Sequence, residues 1–190
     1  MNTPAHVIAS LWVVGHDERS WRPAVAGALV PDLPMFVFYV WQRAVAGRPD
    51  AEIWSTVYFQ PDWQLFFDAF NSLPVVAVGL VAAVLLRSAP LRVFFLSMGL
   101  HCVADLALHH DDAHRHFLPL SDWRFESPIS YWDPAYHGAI FGSLEMAGLV
   151  LGAAVLLRRP NPPGVRVVAG GTLAATAAFA GFALVYWVGT

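Results

Sequence analysis

Residues 23–41, 71–87, 91–110 and 136–157 are four runs that are apolar almost throughout and bounded by charge or proline. Each has close to the 20 residues, roughly, that a helix needs to cross the hydrocarbon layer of a bilayer. A fifth run, 165–188, closes the sequence with Gly170, Gly171 and an alanine-rich face suited to close helix packing in lipid. The opening run, 4–14, is too short for a regular span and reads as a half-helix, an interfacial helix or a segment packed in the bundle. The expectation is therefore an all-α fold, one polytopic transmembrane helical bundle over residues 1–190 with five or six membrane segments. Composition agrees: 57% of residues are hydrophobic and only 13% charged, against about a quarter charged in soluble domains. The mean hydropathy is +0.51.

Charge narrows the function classes. The eleven basic residues are all arginines, set against fourteen acids for a net charge of −3, and none forms a basic run. Nucleic acid is not an expected partner. The single cysteine, Cys102, lies in an apolar stretch and reads as a small buried hydrophobe, which excludes a disulfide framework or a zinc ribbon. No positive residue precedes the first short apolar run and no cleavage site follows it, so the chain is expected to be mature. Arg19, Arg22, Arg87, Arg92, Arg158, Arg159 and Arg166 fall in three connections that alternate to one side. Loops rich in arginine tend to stay cytoplasmic, which predicts a multi-pass protein of the inner (cytoplasmic) membrane. The two long loops, 42–70 and 111–135, would face the periplasm or exterior, with Trp54, Trp63, Trp123 and Trp132 at headgroup level.

Ionisable groups inside apolar spans carry the chemical information, because each costs at least a few kcal/mol in lipid unless paired, wet or metal-bound. His101 and Asp105 stand four apart in one span and His109 follows four later, so all three share a helix face. His-x3-Asp can give one metal ion two ligands from a single helix; the alternative is hydrogen bonding across the bundle. Asp32 lies between Pro31 and Pro34, which interrupt a span and leave backbone groups unpaired. A broken helix at membrane depth usually lines a polar cavity; the alternative is a kink with a snorkelling aspartate. Asp68 and Asn71 precede Ser72-Leu73-Pro74 and read equally as site residues or as a helix N-cap.

The densest cluster is His109-His110-Asp111-Asp112-Ala113-His114-Arg115-His116, followed by Asp133 and His137. Imidazole and carboxylate suit zinc, manganese or iron, and this many could build two or three sites. A solvated polar loop is the other reading, above all for His110 and His114. Glu145 lies about two turns deeper than His137 and reads as a base or a packing acid. His6, Asp68, Asn71, Asp105, His109, His116, Asp133 and His137 all fall in the outer half, although they come from separate stretches of chain.

The order of His6, then Leu29-Val30-Pro31-Asp32, then Ser72-Leu73, then Gly99-Leu100-His101-Cys102-Val103-Ala104-Asp105, then Phe117-Leu118-Pro119-Leu120 with Trp123-Arg124-Phe125 resembles the YdjM-type inner-membrane metal-dependent hydrolases. The resemblance covers roughly residues 4–130. That family is thought to be distantly similar to zinc-dependent phospholipase C and P1-type nucleases, helical enzymes that cleave phosphoesters with bound metal. It implies that His6, Asp32, His101 and Asp105 are metal ligands. The chain departs from the family in two places: Phe70-Asn71-Ser72 stands where Thr-His-Ser is typical, and Leu33-Pro34 follows the Pro-Asp pair where an acid and a histidine are common. Asn71 is a much poorer ligand than histidine; His109, His116 and His137 are the candidates to compensate.

The function expected on this basis is metal-dependent hydrolysis of a phosphoester or lipid-like substrate at the outer membrane interface. The cofactor would be a divalent metal, zinc first, with manganese or iron as alternatives. A carboxylate such as Asp68 or Asp133 would accept a proton from the metal-bound water, and Arg124 or Arg115 would neutralise a phosphate oxygen. The expected partners are membrane lipid and a small phosphoester or lipid substrate. Three other readings stay open: a non-catalytic protein that moves protons or divalent metals along the His/Asp track, haem binding by facing histidines, and a purely structural membrane protein.

Overall fold

The computed structural model describes the backbone of residues 1–188 and the side chains of residues 1–180. Its described residues are helical or irregular, with no strand among them. Helix α1 (Thr3–Val13) is followed by α2 (Trp21–Leu29), a 3-10 turn (Val30–Asp32), α3 (Leu33–Val40) and a π-helical turn (Trp41–Val45). Next come a single turn α4 (Asp50–Glu52), a second π-helical turn (Ile53–Val57) and α5 (Pro61–Phe70). Long helices α6 (Leu73–Leu85), α7 (Ala89–Leu108), α8 (Gly138–Arg158) and α9 (Pro163–Val188) complete the chain.

Among the described residues, four helical stretches are long and apolar enough to cross a membrane: Trp21–Val45, Pro61–Leu85, Ala89–Leu108 and Gly138–Arg158. Their outward faces are apolar, as at Val78, Leu85 and Leu151. The chain is accordingly a membrane-embedded helical bundle, with four such spans among the described residues where five or six were expected. Helix α1 has 11 residues and at 1.5 Å per residue covers about half the hydrocarbon thickness. The run expected as a fifth span is helical as α9, but residues 181–188 lie beyond the described side chains.

Local sequence sets the helix starts. Asn2, Ser72 and Ser88 cap α1, α6 and α7, accepting hydrogen bonds from the backbone N–H of Ala5, Val75 and Leu91, and each is followed by a proline in the first turn. Helix α7 packs on α2 and α6, while α1 sits between α2 and α8, which pairs with α9. The α2–α7 contact is very close: a Cβ on Gly27 would stand 2.1 Å from the Phe94 carbonyl oxygen. Across it, Ser97 Oγ donates to the Ala24 carbonyl at 2.6 Å and His101 Nδ1 to the Ala28 carbonyl at 2.7 Å. The register of α7 is thus fixed one turn before Asp105.

The segment 42–70, expected as a long loop, is mostly helical. Trp54, Tyr58, Trp63 and Phe67 recur at helical spacing and close around the fully buried Phe38. The segment 111–135 remains irregular, yet its backbone is tied down. Leu73 N–H donates to the His116 carbonyl at 2.8 Å, Ser127 N–H to the His109 carbonyl at 3.0 Å, and Tyr131 N–H to the Leu108 carbonyl at 3.1 Å. Those bonds satisfy the start of α6 and the end of α7 together.

Candidate metal centre

Three elements bring ionisable side chains to one end of the bundle: α1 supplies His6, the 3-10 turn Asp32, and α7 both His101 and Asp105. His6, His101 and Asp105 are 1–2% exposed. His6 Nε2 lies 2.9 Å from Asp105 Oδ1, and His101 Nε2 lies 2.9 Å from Asp105 Oδ2 and 3.5 Å from Asp32 Oδ1. The two imidazoles stack with centroids 3.5 Å apart. One ligand atom from each of His6, Asp32 and His101 falls within 4.8 Å of the other two, close enough to hold one ion.

The break in the first span explains how Asp32 reaches this cluster. Pro31 and Pro34 have no N–H, so regular helical bonding fails there, and neighbours occupy the freed carbonyls. Asn71 Nδ2 donates to the Pro31 carbonyl at 3.3 Å, and His101 holds that of Ala28. Thr3 Oγ1 donates to Asp32 Oδ2. The bond from His101 Nδ1 also puts a proton on Nδ1 and turns Nε2 toward Asp105 and Asp32. That is the usual outer-shell arrangement of a metal-ligating histidine. His101 Nε2 is buried and has no aligned hydrogen-bond partner, and the His6, Asp32 and His101 donor set could hold a metal ion.

Above the cluster opens a cavity of about 440 Å³ whose wall includes Asp32, Asp105, His109, Asp112, His114 and Tyr131. His109 Nε2 lies 2.9 Å from the Met1 ammonium nitrogen and 3.2 Å from Asp105 Oδ1, and its Nδ1 lies 2.9 Å from Asp112 Oδ2; the same ammonium pairs with Asp105 Oδ1 at 2.7 Å. Burial works against a charge on His109, yet the Asp105 carboxylate lifts its pKa to about 9. His116 behaves in the opposite way. Burial pushes it down to about 4, and with Nδ1 directed at the Asn71 carbonyl its Nε2 is left without a partner.

Other expected site residues are placed elsewhere. Asp68 is fully buried, but Arg115 Nε lies 2.5 Å from its Oδ2, His114 Nδ1 3.1 Å from its Oδ1, and Arg124 3.5 Å from its Oδ2. A carboxylate so held anchors the loop rather than accepting a proton from water. Arg124 divides its guanidinium between Gln64 and Asp68 and is not on the cavity wall. Asp133 caps the short turn Pro134–Tyr136 by accepting from Ala135 N–H at 2.8 Å. His137 is exposed, with a left-handed backbone at the start of α8. Glu145 accepts hydrogen bonds from the Asn2 backbone N–H and side-chain amide. His110 stacks on Tyr136 and directs Nδ1 at the Ser127 carbonyl. Tyr131 is a wall residue that the sequence did not single out, while Asp112 and His114 were read only as members of the His109–His116 cluster.

Against known proteins, no family model, no curated protein and no solved structure matches the chain.

Proposed function

We propose that the protein is a membrane-embedded hydrolase that holds a divalent metal through His6, Asp32, His101 and Asp105 and acts on a phosphoester or lipid-like substrate. The observation that carries this reading is His101: fully buried at membrane depth, oriented through Nδ1, with Nε2 turned toward the carboxylates of Asp32 and Asp105 without an aligned hydrogen bond. An unpaired polar atom in such a place costs several kcal/mol, roughly, unless a cation or proton meets it. The four residues that meet here are also the ligands implied by the resemblance to the YdjM-type hydrolases, which supports the same reading. When bound, a divalent ion supplies an activated water at neutral pH and a positive charge for the phosphoryl oxygen.

The chain's own residues do the rest. Asp32 and Asp105 offset the cation's charge, Thr3 and the Ala28 carbonyl hold two ligands in place, and Met35, Phe36 and Phe67 on the cavity wall limit water. Zinc is the first candidate on ligand type, with manganese and iron behind it. The arginine-bearing connections lie at the end of the bundle away from the cavity: Arg159 sits over Trp12 at the far end of α1, and Arg19 and Arg22 share a groove with Ala89 and Pro90 at the start of α7. With that end cytoplasmic, the cavity opens at the periplasmic or exterior interface of the inner membrane, where lipid headgroups are within reach. On α7 the residues toward the arginine end of His101 include Ser97 and no acid or histidine. That supports a one-sided site over a path for protons or metals.

The test is hydrolysis by metal-loaded protein in detergent of a water-soluble nitrophenyl phosphodiester and of dispersed phospholipid. Turnover in the wild type that is lost in His101→Gln is the expected result. Metal-loaded protein inert toward both, but conducting the metal across vesicles, would replace hydrolysis with transport.

A further inference from the structure

A second pocket, of about 310 Å³, adjoins the cavity and shares Tyr58, Asp112 and Tyr131 with it. Trp54, Phe59 and Trp132 add three more rings to its wall, and Asp112 is the one charged side chain there. Its size is at the lower end of the range for small-ligand pockets, about 300 to 1,000 Å³. The rings are held by contacts of their own. Tyr58 stacks on Phe67 with centroids 5.2 Å apart, Trp54 stacks on Tyr39 at 5.6 Å, and the Trp132 indole N–H donates to Asp112 Oδ2 at 3.0 Å. Asp112 Oδ1 is buried and has no hydrogen-bond partner.

The chemistry of this wall selects a ligand. An anion would meet the Asp112 carboxylate, and a hydrocarbon chain would leave that carboxylate desolvated against apolar surface with nothing to offset its charge. A metal ion would find one carboxylate and no imidazole on this wall. An organic ammonium satisfies every part: its alkyl groups pack on the rings, its charge meets their π-faces, and the carboxylate supplies the counter-charge. Anchoring among headgroups accounts for exposed tryptophans in general, but not for their convergence with Tyr58 and Tyr131 on a buried carboxylate oxygen.

We propose that this pocket is a binding subsite for the organic ammonium group of an amino-alcohol phosphoester, with Asp112 as its counter-charge and Trp54, Tyr58, Tyr131 and Trp132 as its ring wall. Placing that group on the substrate rests on the proposed hydrolase function; ammonium binding itself does not, so the two ideas can fail separately. Because Tyr58, Asp112 and Tyr131 border both spaces, a phosphoester in the cavity and an ammonium in the pocket belong to neighbouring parts of one molecule. A lipid headgroup and a water-soluble ester share this chemistry.

The experiment is calorimetric titration of the full-length protein in a maltoside detergent with choline and with its neutral isostere, in which carbon replaces the ammonium nitrogen, followed by hydrolysis of nitrophenyl phosphodiesters carrying the same two groups. Wild type should bind choline about tenfold more tightly than the isostere, or better. Asp112→Asn should weaken choline about tenfold and Trp54→Leu several-fold. Trp123→Leu, at an exposed tryptophan outside this pocket, should bind as wild type does, and circular dichroism identifies any variant that has simply unfolded. The choline diester should be cleaved in preference to its neutral counterpart. Cleavage of dispersed phosphatidylcholine in preference to phosphatidylglycerol then assigns the ammonium to a lipid headgroup, and a preference confined to the soluble diester assigns it to a free ester. No choline binding, equal binding of the isostere, or choline binding unchanged in both Asp112→Asn and Trp54→Leu overturns the subsite; if both diesters are still cleaved without preference, the proposed function stands. Selective choline binding by a protein that cleaves no phosphodiester upholds the ammonium pocket and overturns the hydrolase.

Discussion

The two ends of the bundle handle charge in opposite ways. At the arginine end, charges stay at the rim: Arg159 lies over the Trp12 ring at 4.5 Å and Arg22 over the Trp21 ring at 5.2 Å. Long side chains of this kind keep their heads wet while their stems cover apolar surface. At the cavity end, His6, Asp68, His101 and Asp105 are buried in contact with one another or with partners from other elements. Solvation makes the first arrangement tolerant. Burial makes the second demanding, since each polar atom needs a named partner and the unpartnered ones mark where a ligand belongs.

Substitutions at the two ends should separate accordingly. The largest effect is expected for Asp68→Ala, which takes the one buried carboxylate from His114, Arg115 and Arg124 and leaves Arg115 only the exposed Asp122. Breaking a buried pair from one side costs about 3 kcal/mol or more, and thermal unfolding in detergent should register it; a loss below about 1 kcal/mol would mean that water already screens the pair. Next is Gly27→Ala at the α2–α7 contact, where the new methyl meets the Phe94 carbonyl and overpacking costs about 1 to 3 kcal/mol. Gly148→Ala in α8, where a Cβ meets nothing within 4 Å, is the paired control and should be neutral or stabilising. Ser72→Ala removes the cap of α6 and a bond to the Leu118 carbonyl, a loss of about 1 kcal/mol. The smallest change belongs to the arginine end. Arg159→Ala forfeits one exposed cation–π contact, about 0.5 kcal/mol, and an equal loss at both ends would erase the contrast.

Legibility in the sequence follows the same division. The spans were readable because apolar length is a strong signal, and Ala89–Leu108 and Gly138–Arg158 lie within two residues of the runs expected. His101, Asp105 and Asp32 stood out because charge at membrane depth has few explanations. The helices within 42–70 were missed because Pro49, Asp50, Glu52 and Pro61 punctuate that segment like a loop. The i, i+4 aromatic pairs Trp54/Tyr58 and Trp63/Phe67 were the contrary evidence, and they decide the structure by packing on Phe38. In the irregular loop there is no period to read. Nothing in sequence spacing alone could show that Asp68 would be taken by Arg115, that Asp133 would cap a turn, or that Tyr131 would reach the cavity wall.

The central claim is that a buried divalent metal sits on His101 and Asp105. Its most direct test is mass spectrometry of metal in protein purified without added metal, comparing wild type with His101→Gln and Asp105→Asn. Near-stoichiometric zinc, manganese or iron in the wild type, lost in both variants while helicity is kept, is the result the structure predicts. A wild type that carries no metal and cannot be loaded would contradict it and leave the His/Asp cluster a structural or proton-handling network.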